Sequence, residues 1–293
     1  MTPLAIILIV SSAAIHAMRE LLTKKAADKQ VFIWWYKSFS LLFFLPPFIY
    51  FICKGEIPTS TGILIGVISG FTHFIYWLLL SKSYEHGGDL SHVYPIMRSS
   101  SALILLISVI FLKEEVSLLG VIGIFTVTAG VYLNNLKKIS LSGLITPIKA
   151  IFTEKPTRFA FLTLLGVVAY STTDKIGVSH VHPLIFLWMF TLFSLLFFTP
   201  YILKTKKRVT ITSEWENNKR SIMINGLFSV VSYYLILVAL TFTNLSYVGG
   251  LRQISIVFAV LLGGHVLKEK HKFIRLLSAI IIFTGALLIA MAS

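Results

Sequence analysis

The sequence predicts an all-α integral membrane protein of ten transmembrane helices arranged as two inverted five-helix repeats. Three observations carry this. Apolar residues make up 56% of the 293-residue chain and charged residues only 13%, where soluble domains have roughly 25% charged, and the mean hydropathy is +0.85. Ten uninterrupted apolar stretches are each about 20 residues long, enough for a helix to cross some 30 Å of hydrocarbon. Finally, Phe39-Ser-Leu-Leu-Phe-Phe44 recurs as Phe193-Ser-Leu-Leu-Phe-Phe198, in register with Phe32/Phe186, Trp34/Trp188 and Pro46/Pro200.

The predicted spans run Pro3 to Thr23, Val31 to Cys53, Gly62 to Tyr84, Ser91 to Leu112 and Ser117 to Leu136 in the first half. In the second they run Arg158 to Val178, Pro183 to Leu203, Ser221 to Thr243, Tyr247 to Leu267 and Phe273 to Ala292. The first stretch lacks a basic n-region and a small-residue cleavage site, so it reads as a retained span and not a signal peptide. Five spans per half is an odd number, which forces the second half to enter the bilayer in the opposite sense. Inverted repeats of this kind point toward a transporter with its substrate site between the halves near the midplane. Residues 1–136 and 158–293 are the two repeats, and 137–157 connects them. Within the connection, Leu141 to Phe152 mixes apolar residues with Lys149, which suits either an interfacial segment or an ordinary loop.

The net charge of +14 follows membrane topology and does not suggest nucleic acid. Loops after the odd-numbered spans hold nearly all the cations, among them Lys24, Lys82, Lys137, Lys204, Lys206, Lys207, Arg208, Lys268 and Lys270, while the opposite side has Lys54, Lys113 and Lys175. By the positive-inside rule both termini face outward. The hydrophilic stretch Lys204 to Arg220 reads as a solvated loop. A lone Cys53 excludes an intramolecular disulfide and a thiolate metal cluster. Phosphate-loop, zinc-protease and serine-hydrolase motifs are absent, which argues against an enzyme, and no cofactor is expected. His180-x-His182 is a weak metal pattern better read as a loop pair.

Lys113-Glu114 and Lys268-Glu269 end spans four and nine, and Thr128-Ala-Gly130 lines up with Thr284-Gly285 in spans five and ten. With ten spans in two copies, these features resemble the EamA family of the drug/metabolite transporter superfamily. The resemblance implies a carrier of small metabolites in the cell membrane, with a central cavity lined by both halves. It also implies cytoplasmic termini, which the charge distribution opposes. Tyr94-Pro-x-x-Arg98 is similar to the corresponding stretch of EamA-type proteins associated with phosphonate utilisation, although Ser99 stands where those often have glycine.

Polar residues inside spans are the candidate site, because a charge at the bilayer centre costs roughly 2.5 to 3.5 kcal/mol even on insertion scales. Arg98 follows Tyr94 and Pro95 in span four, and Arg252 lies at nearly the same depth in span nine. Two forked guanidinium groups suit a phosphonate, phosphate ester or carboxylate, and the alternative is that each is paired for folding. Lys37 adds a third cation, as a ligand or as a snorkelling side chain beside the aromatic belt of Trp34, Trp35 and Tyr36. His16 and Tyr170 correspond in the two repeats, one turn from the matched acids Glu20 and Asp174. The distantly related small multidrug resistance proteins carry a functional acid in their first helix, so Glu20 and Asp174 are candidates for proton coupling. Their neighbours Arg19 and Lys175 make local ion pairing the preferred reading. His73, Tyr76 and Trp77 read as an aromatic cavity wall or as helix packing. His265 is expected to have no binding role, and Glu114 and Glu269 read as caps at span ends. Ser99 to Ala102 and Gly263-Gly264 are expected to let helices approach closely. A small-molecule carrier follows, for an anion by the arginines, or alternatively an exporter of amino acids or drug-like cations in which the arginines are structural.

Overall fold

The computed structural model describes residues 1–24, 26–85, 96–136, 141–266 and 272–292, and among them there is no β-strand. The helices are α1 (Pro3–Lys24), α2 (Lys29–Phe43), α3 (Leu45–Cys53), α4 (Ser60–Glu85), α5 (Ser100–Ile110), α6 (Leu118–Asn134) and α7 (Leu141–Thr153). They continue as α8 (Lys155–Val178), α9 (Pro183–Thr205), α10 (Arg208–Phe242), α11 (Leu245–Leu251), α12 (Ile254–Val266) and α13 (Lys272–Met291). Five segments are long and apolar enough to cross a membrane: Lys29–Cys53, Ser60–Ser83, Pro183–Thr205, Arg208–Phe242 and Ile274–Met291. Shorter apolar helices cover Pro3–Arg19, Ile96–Ile110, Leu118–Asn134 and Leu245–Leu261. Helix α8 is less apolar because Tyr170 to Lys175 is a polar run, and that run builds part of the site described below.

Packing is unchanged in pattern when the halves are exchanged. Helix α4 lies along α8 as α10 lies along α1, and α4 meets α9 as α10 meets α2. Helix α6 pairs with its counterpart α13. These pairings join residues before 136 to residues after 155, so the two halves interdigitate and share one core.

The crossings depend on glycine, because apolar side chains gain little by leaving lipid and close backbone contact must supply the attraction. A Cβ on Gly70 would stand 2.5 Å from Phe193 Cβ and 2.8 Å from the Ser194 nitrogen. A Cβ on Gly226 would stand 2.8 Å from Phe39 Cδ1 and 2.9 Å from the Tyr36 carbonyl oxygen. Phe39 and Phe193 are the repeat mates that open the duplicated motif, so both halves use one joint. The α6–α13 contact is equally close, with Gly285 against the Val127 nitrogen and the Gly123 oxygen. In the run Ser99 to Ala102, buried Ser101 hydrogen-bonds Thr128 of α6 at 3.0 Å. Gly263 and Gly264 lie on α12, but their surroundings are outside the described residues, as are Glu269 and the His265 side chain.

Three breaks shape the bundle. Pro46-Pro47 separates α2 from α3, whereas the single Pro200 is absorbed inside α9. Span four turns at Ser99, directly after Arg98, and span nine breaks at Arg252-Gln253 between α11 and α12. The equivalent arginines therefore both sit at helix interruptions.

The expected loop at Lys204 to Arg220 is corrected, and of the two readings of Leu141 to Phe152 a helix suits the interfacial segment. Leu141 to Thr153 forms the helix α7, and Lys204 to Arg220 is almost wholly helical, ending α9 and starting the long α10. The second segment is held in place by specific contacts: Lys206 Nζ lies 2.7 Å from Asp28 Oδ2, and the Asp28 amide donates to Glu214 Oε2 at 3.0 Å. Asp28 also caps α2 through the Gln30 and Val31 amides. The loop reading fails because Lys206 and Glu214 of this charged segment bind Asp28 at the start of α2.

Candidate functional site

A cavity of about 620 Å³ lies between the halves. Helices α1 and α2 contribute His16, Arg19 and Lys37, and α4 contributes His73, Tyr76 and Trp77. The helix interruptions contribute Arg98 and Arg252, and α8 and α10 contribute Tyr170 and Tyr233. Of the residues expected from the sequence, Arg98, Arg252, Lys37, His16, Tyr170, Tyr76 and Trp77 are thus brought to one space. Tyr94 and the Glu20 side chain lie outside the described residues.

The sign of the lining is one-sided. Arg19, Lys29, Lys37, Arg98, Arg252 and Arg275 face the cavity, and no carboxylate does among the described residues. Lys37 does not reach to an interface as a snorkelling chain; its Nζ sits 5.9 Å above the Phe190 ring. Arg252 lies 5.3 Å over the Tyr233 ring. Such cation–π contacts hold a charge in place while leaving its donors available. Trp77 Nε1 is buried with no hydrogen-bond partner among the described residues, a donor that a ligand acceptor can satisfy.

Behind the cavity wall stands Asp174, fully buried on α8. Ser69 Oγ donates to its Oδ1 at 2.5 Å, His73 Nε2 lies 3.1 Å from Oδ2, and the Tyr233 hydroxyl donates to Oδ2. Tyr170 and Phe190 sandwich the His73 ring, with centroids 4.3 Å and 4.5 Å away. The preferred expectation of ion pairing with Lys175 is overturned. Successive helix residues point in different directions, and Lys175 Nζ turns away to bond the Leu240 and Thr243 carbonyls at 2.7 and 2.9 Å, capping α10. The polar groups around Asp174 satisfy a carboxylate that desolvation would otherwise make very costly.

A second polar knot, built on Arg19, answers it across the repeat. Arg19 is 9% exposed; its Nε donates to Asn225 Oδ1 at 3.0 Å and its Nη2 to the Tyr36 hydroxyl at 3.2 Å. Asn225 precedes Gly226 as Ser69 precedes Gly70, so both knots are built at the same joint of the two halves. Arg19, Ser69, Asn225 and Tyr233 were not among the expected site residues. For Ser69 and Asn225 the signal in the sequence is that each stands directly before a joint glycine. It is legible only once the α4 and α10 registers are matched.

Two other expectations are settled locally. His182 Nδ1 accepts the Leu184 amide as the cap of α9 and its ring stacks on Phe51 at 4.3 Å. His180 Nδ1 lies 2.9 Å from the Ile176 oxygen, and the described residues hold no group of three or more His, Cys, Asp or Glu side chains that could bind a metal ion. Glu114 does act as a cap: it accepts the Leu245 and Ser246 amides at 2.5 and 3.1 Å and the Ser246 hydroxyl at 2.8 Å, fastening α11.

Comparison with known proteins agrees with this architecture. A crystal structure of a protein 13% identical superposes with a TM-score of 0.75, covering 98% of this chain and 98% of its own, which shows a shared fold. No curated protein matches the sequence. The sequence pattern of the EamA-like transporter family matches twice, over residues 3–136 and 156–291. With both copies of the repeat accounted for, the chain is a multi-pass integral membrane protein that belongs to the EamA-like transporter family.

Proposed function

We propose that this chain is a secondary transporter that moves a small organic anion, a phosphonate, phosphate ester or carboxylate, by alternating access. Ten spans form two inverted five-helix repeats, and one set of helices rocks against the other around a fixed central site. The observation that carries the reading is the cavity's charge: Lys37, Arg98 and Arg252 line it with Arg19, and no described carboxylate shares the lining. A lining of this sign favours an anionic ligand over a cationic one. The guanidinium groups supply paired donors for carboxylate or phosphate oxygens, while Trp77 Nε1, Tyr76 and Tyr170 are placed to orient the remainder. The bias of the loop cations supports a reading with the odd-numbered connections on the cytoplasmic side of a bacterial plasma membrane and both termini outside, against the family's habit.

The test is a thermal-shift screen of detergent-purified protein against phosphonates, phosphate esters, carboxylates, amino acids and organic cations. Anions should raise the melting temperature, and Arg98→Gln or Arg252→Gln should abolish the rise. Stabilisation by cations or zwitterions that survives both substitutions would overturn the anion reading. It would support the second one, an amino-acid or cation exporter, which the aromatic walls and buried Asp174 favour.

A further inference from the structure

We infer that helix α7 and the start of α8 form a binding site for anionic phospholipid headgroups at the membrane surface. The inference goes beyond the transport reading and does not depend on the cargo.

The corner between the two helices is the first ground. Glu154 joins them in an extended backbone conformation, φ −114° and ψ 126°, and Pro156 follows in the first turn of α8. Such a residue ends one helix and starts the next in a new direction, so α7 leaves the axis of α8. Hydrogen bonding runs on across the corner, from the Glu154 amide to the Ala150 oxygen at 2.8 Å and from the Arg158 amide to the Glu154 oxygen at 3.1 Å. Helix α8 has 24 residues, about 36 Å at 1.5 Å per residue, which exceeds the roughly 30 Å of a hydrocarbon core. Its first residues therefore stand at the edge of the bilayer, and α7 stands there with them.

The second ground is how the surface of α7 is divided. Successive residues turn by about 100°. Pro147 and Ala150 then share one arc, which is buried where α7 packs on α8. Opposite them Ile145, Ile148 and Phe152 share another arc, and they are 39%, 50% and 78% exposed. On one flank Thr146, Lys149 and Thr153 make an exposed polar arc, and on the other half-buried Ile151 continues the apolar one. An exposed apolar arc is costly in water, and an exposed polar arc is costly in hydrocarbon. Both are accommodated when α7 lies in the plane of the interface, with its isoleucines and Phe152 among acyl chains and its threonines toward water. Lys149 falls between Ile145 and Thr153 around the helix, which is the level of the lipid phosphates.

Charge is the third ground. Lys155 and Arg158 are exposed beside the same corner. Arg158 Nη2 donates to the Phe152 carbonyl at 3.3 Å, which folds the guanidinium back over the end of α7. From Leu141 to Arg158 three cations stand against one acid, Glu154, which accepts the Thr157 hydroxyl at 3.0 Å. Cations at this depth attract a headgroup with net negative charge and gain little from a zwitterionic one. On the topology proposed above, α7 follows an odd-numbered span. It then lies on the face that the positive-inside rule assigns to the negatively charged cytoplasmic leaflet.

Depth and charge preference are tested separately. Cys53 is the only cysteine, so Cys53→Ser gives a background for single spin labels at Thr146→Cys, Ile148→Cys, Phe152→Cys and Thr153→Cys. The full-length protein is placed in vesicles of equal parts phosphatidylcholine and phosphatidylglycerol. Labels at 148 and 152 should collide more with oxygen than with a water-soluble nickel chelate, and labels at 146 and 153 the reverse. Nickel-dominated collisions at all four positions would place α7 in water, open to a protein partner, and would overturn the inference. Charge preference is read from unlabelled protein in detergent, as the lipid concentration giving half the maximal rise in melting temperature. Wild type should need about tenfold less phosphatidylglycerol than phosphatidylcholine. Lys149→Gln, Lys155→Gln and Arg158→Gln together should bring the two lipids within about twofold. Lys204→Gln, Lys207→Gln and Lys219→Gln together, on the α9–α10 connection, should keep the preference. All six side chains are exposed, and each variant's fold is checked by its midpoint without lipid. Equal lipid midpoints in the wild type, or a preference that survives the first triple substitution, would overturn the inference. Loss of the preference in the second variant as well would show diffuse attraction and no site. Inorganic phosphate that stabilises the wild type but not the first variant would overturn the assignment to lipid.

Discussion

Glu114 closes the first half of the bundle and fastens the second. Its carboxylate receives the Leu245 amide, the Ser246 amide and the Ser246 hydroxyl, all at the start of the short helix α11 whose far end presents Arg252. Glu114→Ala removes all three bonds and the charge opposite the helix N-terminus. A hydrogen bond to a charged group contributes about 1.5–3 kcal/mol net, and loss of an N-terminal cap typically costs about 1 kcal/mol. The three bonds share one carboxylate, and the site is half-exposed so that water replaces part of them. The total is therefore about 2–3 kcal/mol and not the sum. For a chain of this size that corresponds to a melting temperature lower by about 5 °C. Glu114→Gln keeps an acceptor oxygen and loses the charge, so about 1 kcal/mol is expected. Thermal unfolding followed by intrinsic fluorescence in detergent, with Ser246→Ala and the double variant completing a cycle, measures both values. Because α11 positions Arg252, affinity for a probe anion such as sulfate should fall alongside stability. A Glu114→Ala protein that melts within a degree of wild type, or a double variant whose loss is the plain sum of the singles, would refute the clamp.

Lys113, directly before this clamp, holds φ at 56°, and a side chain in the left-handed region costs roughly 1–2 kcal/mol. Lys113→Gly should therefore melt a few degrees higher, and an unchanged or lower midpoint would show that the strain is relieved elsewhere. Gly70→Val places a branched side chain where even a Cβ is 2.8 Å from the Ser194 nitrogen. Overpacking at a backbone contact costs about 1–3 kcal/mol or more, and size-exclusion chromatography should show loss of the monodisperse peak. Arg19→Lys keeps the charge but loses the fork to Asn225 and Tyr36. Calorimetry should show sulfate affinity reduced about tenfold, equivalent to about 1.4 kcal/mol, with wild-type affinity as the contrary result.

The duplicated motif made the architecture legible, because a repeat in a chain this apolar leaves few ways to satisfy backbone hydrogen bonds in lipid. Arg98, Arg252 and Lys37 were legible for a similar reason: a cation inside an apolar span needs a wet or polar neighbour, and the cavity is that neighbour. The partners of Asp174 were not. Ser69 and Tyr233 lie 105 and 59 residues away, and each is one of many hydroxyl residues in apolar spans. Only the helix pairings select them. Lys175 shows the opposite error, since closeness in sequence suggested an ion pair that the helix's angular step forbids. The helical form of Lys204 to Arg220 was hidden because the contacts that Lys206 and Glu214 make are to Asp28, almost two hundred residues upstream.

The two polar knots at the repeat joints are made of unlike material, guanidinium with amide on one side and carboxylate with imidazole on the other. Two identical halves would give inward- and outward-facing forms the same energy, and the molecule would idle evenly between them. Here one joint is built around a buried positive charge and the other around a buried negative one, so opening one does not cost what opening the other does.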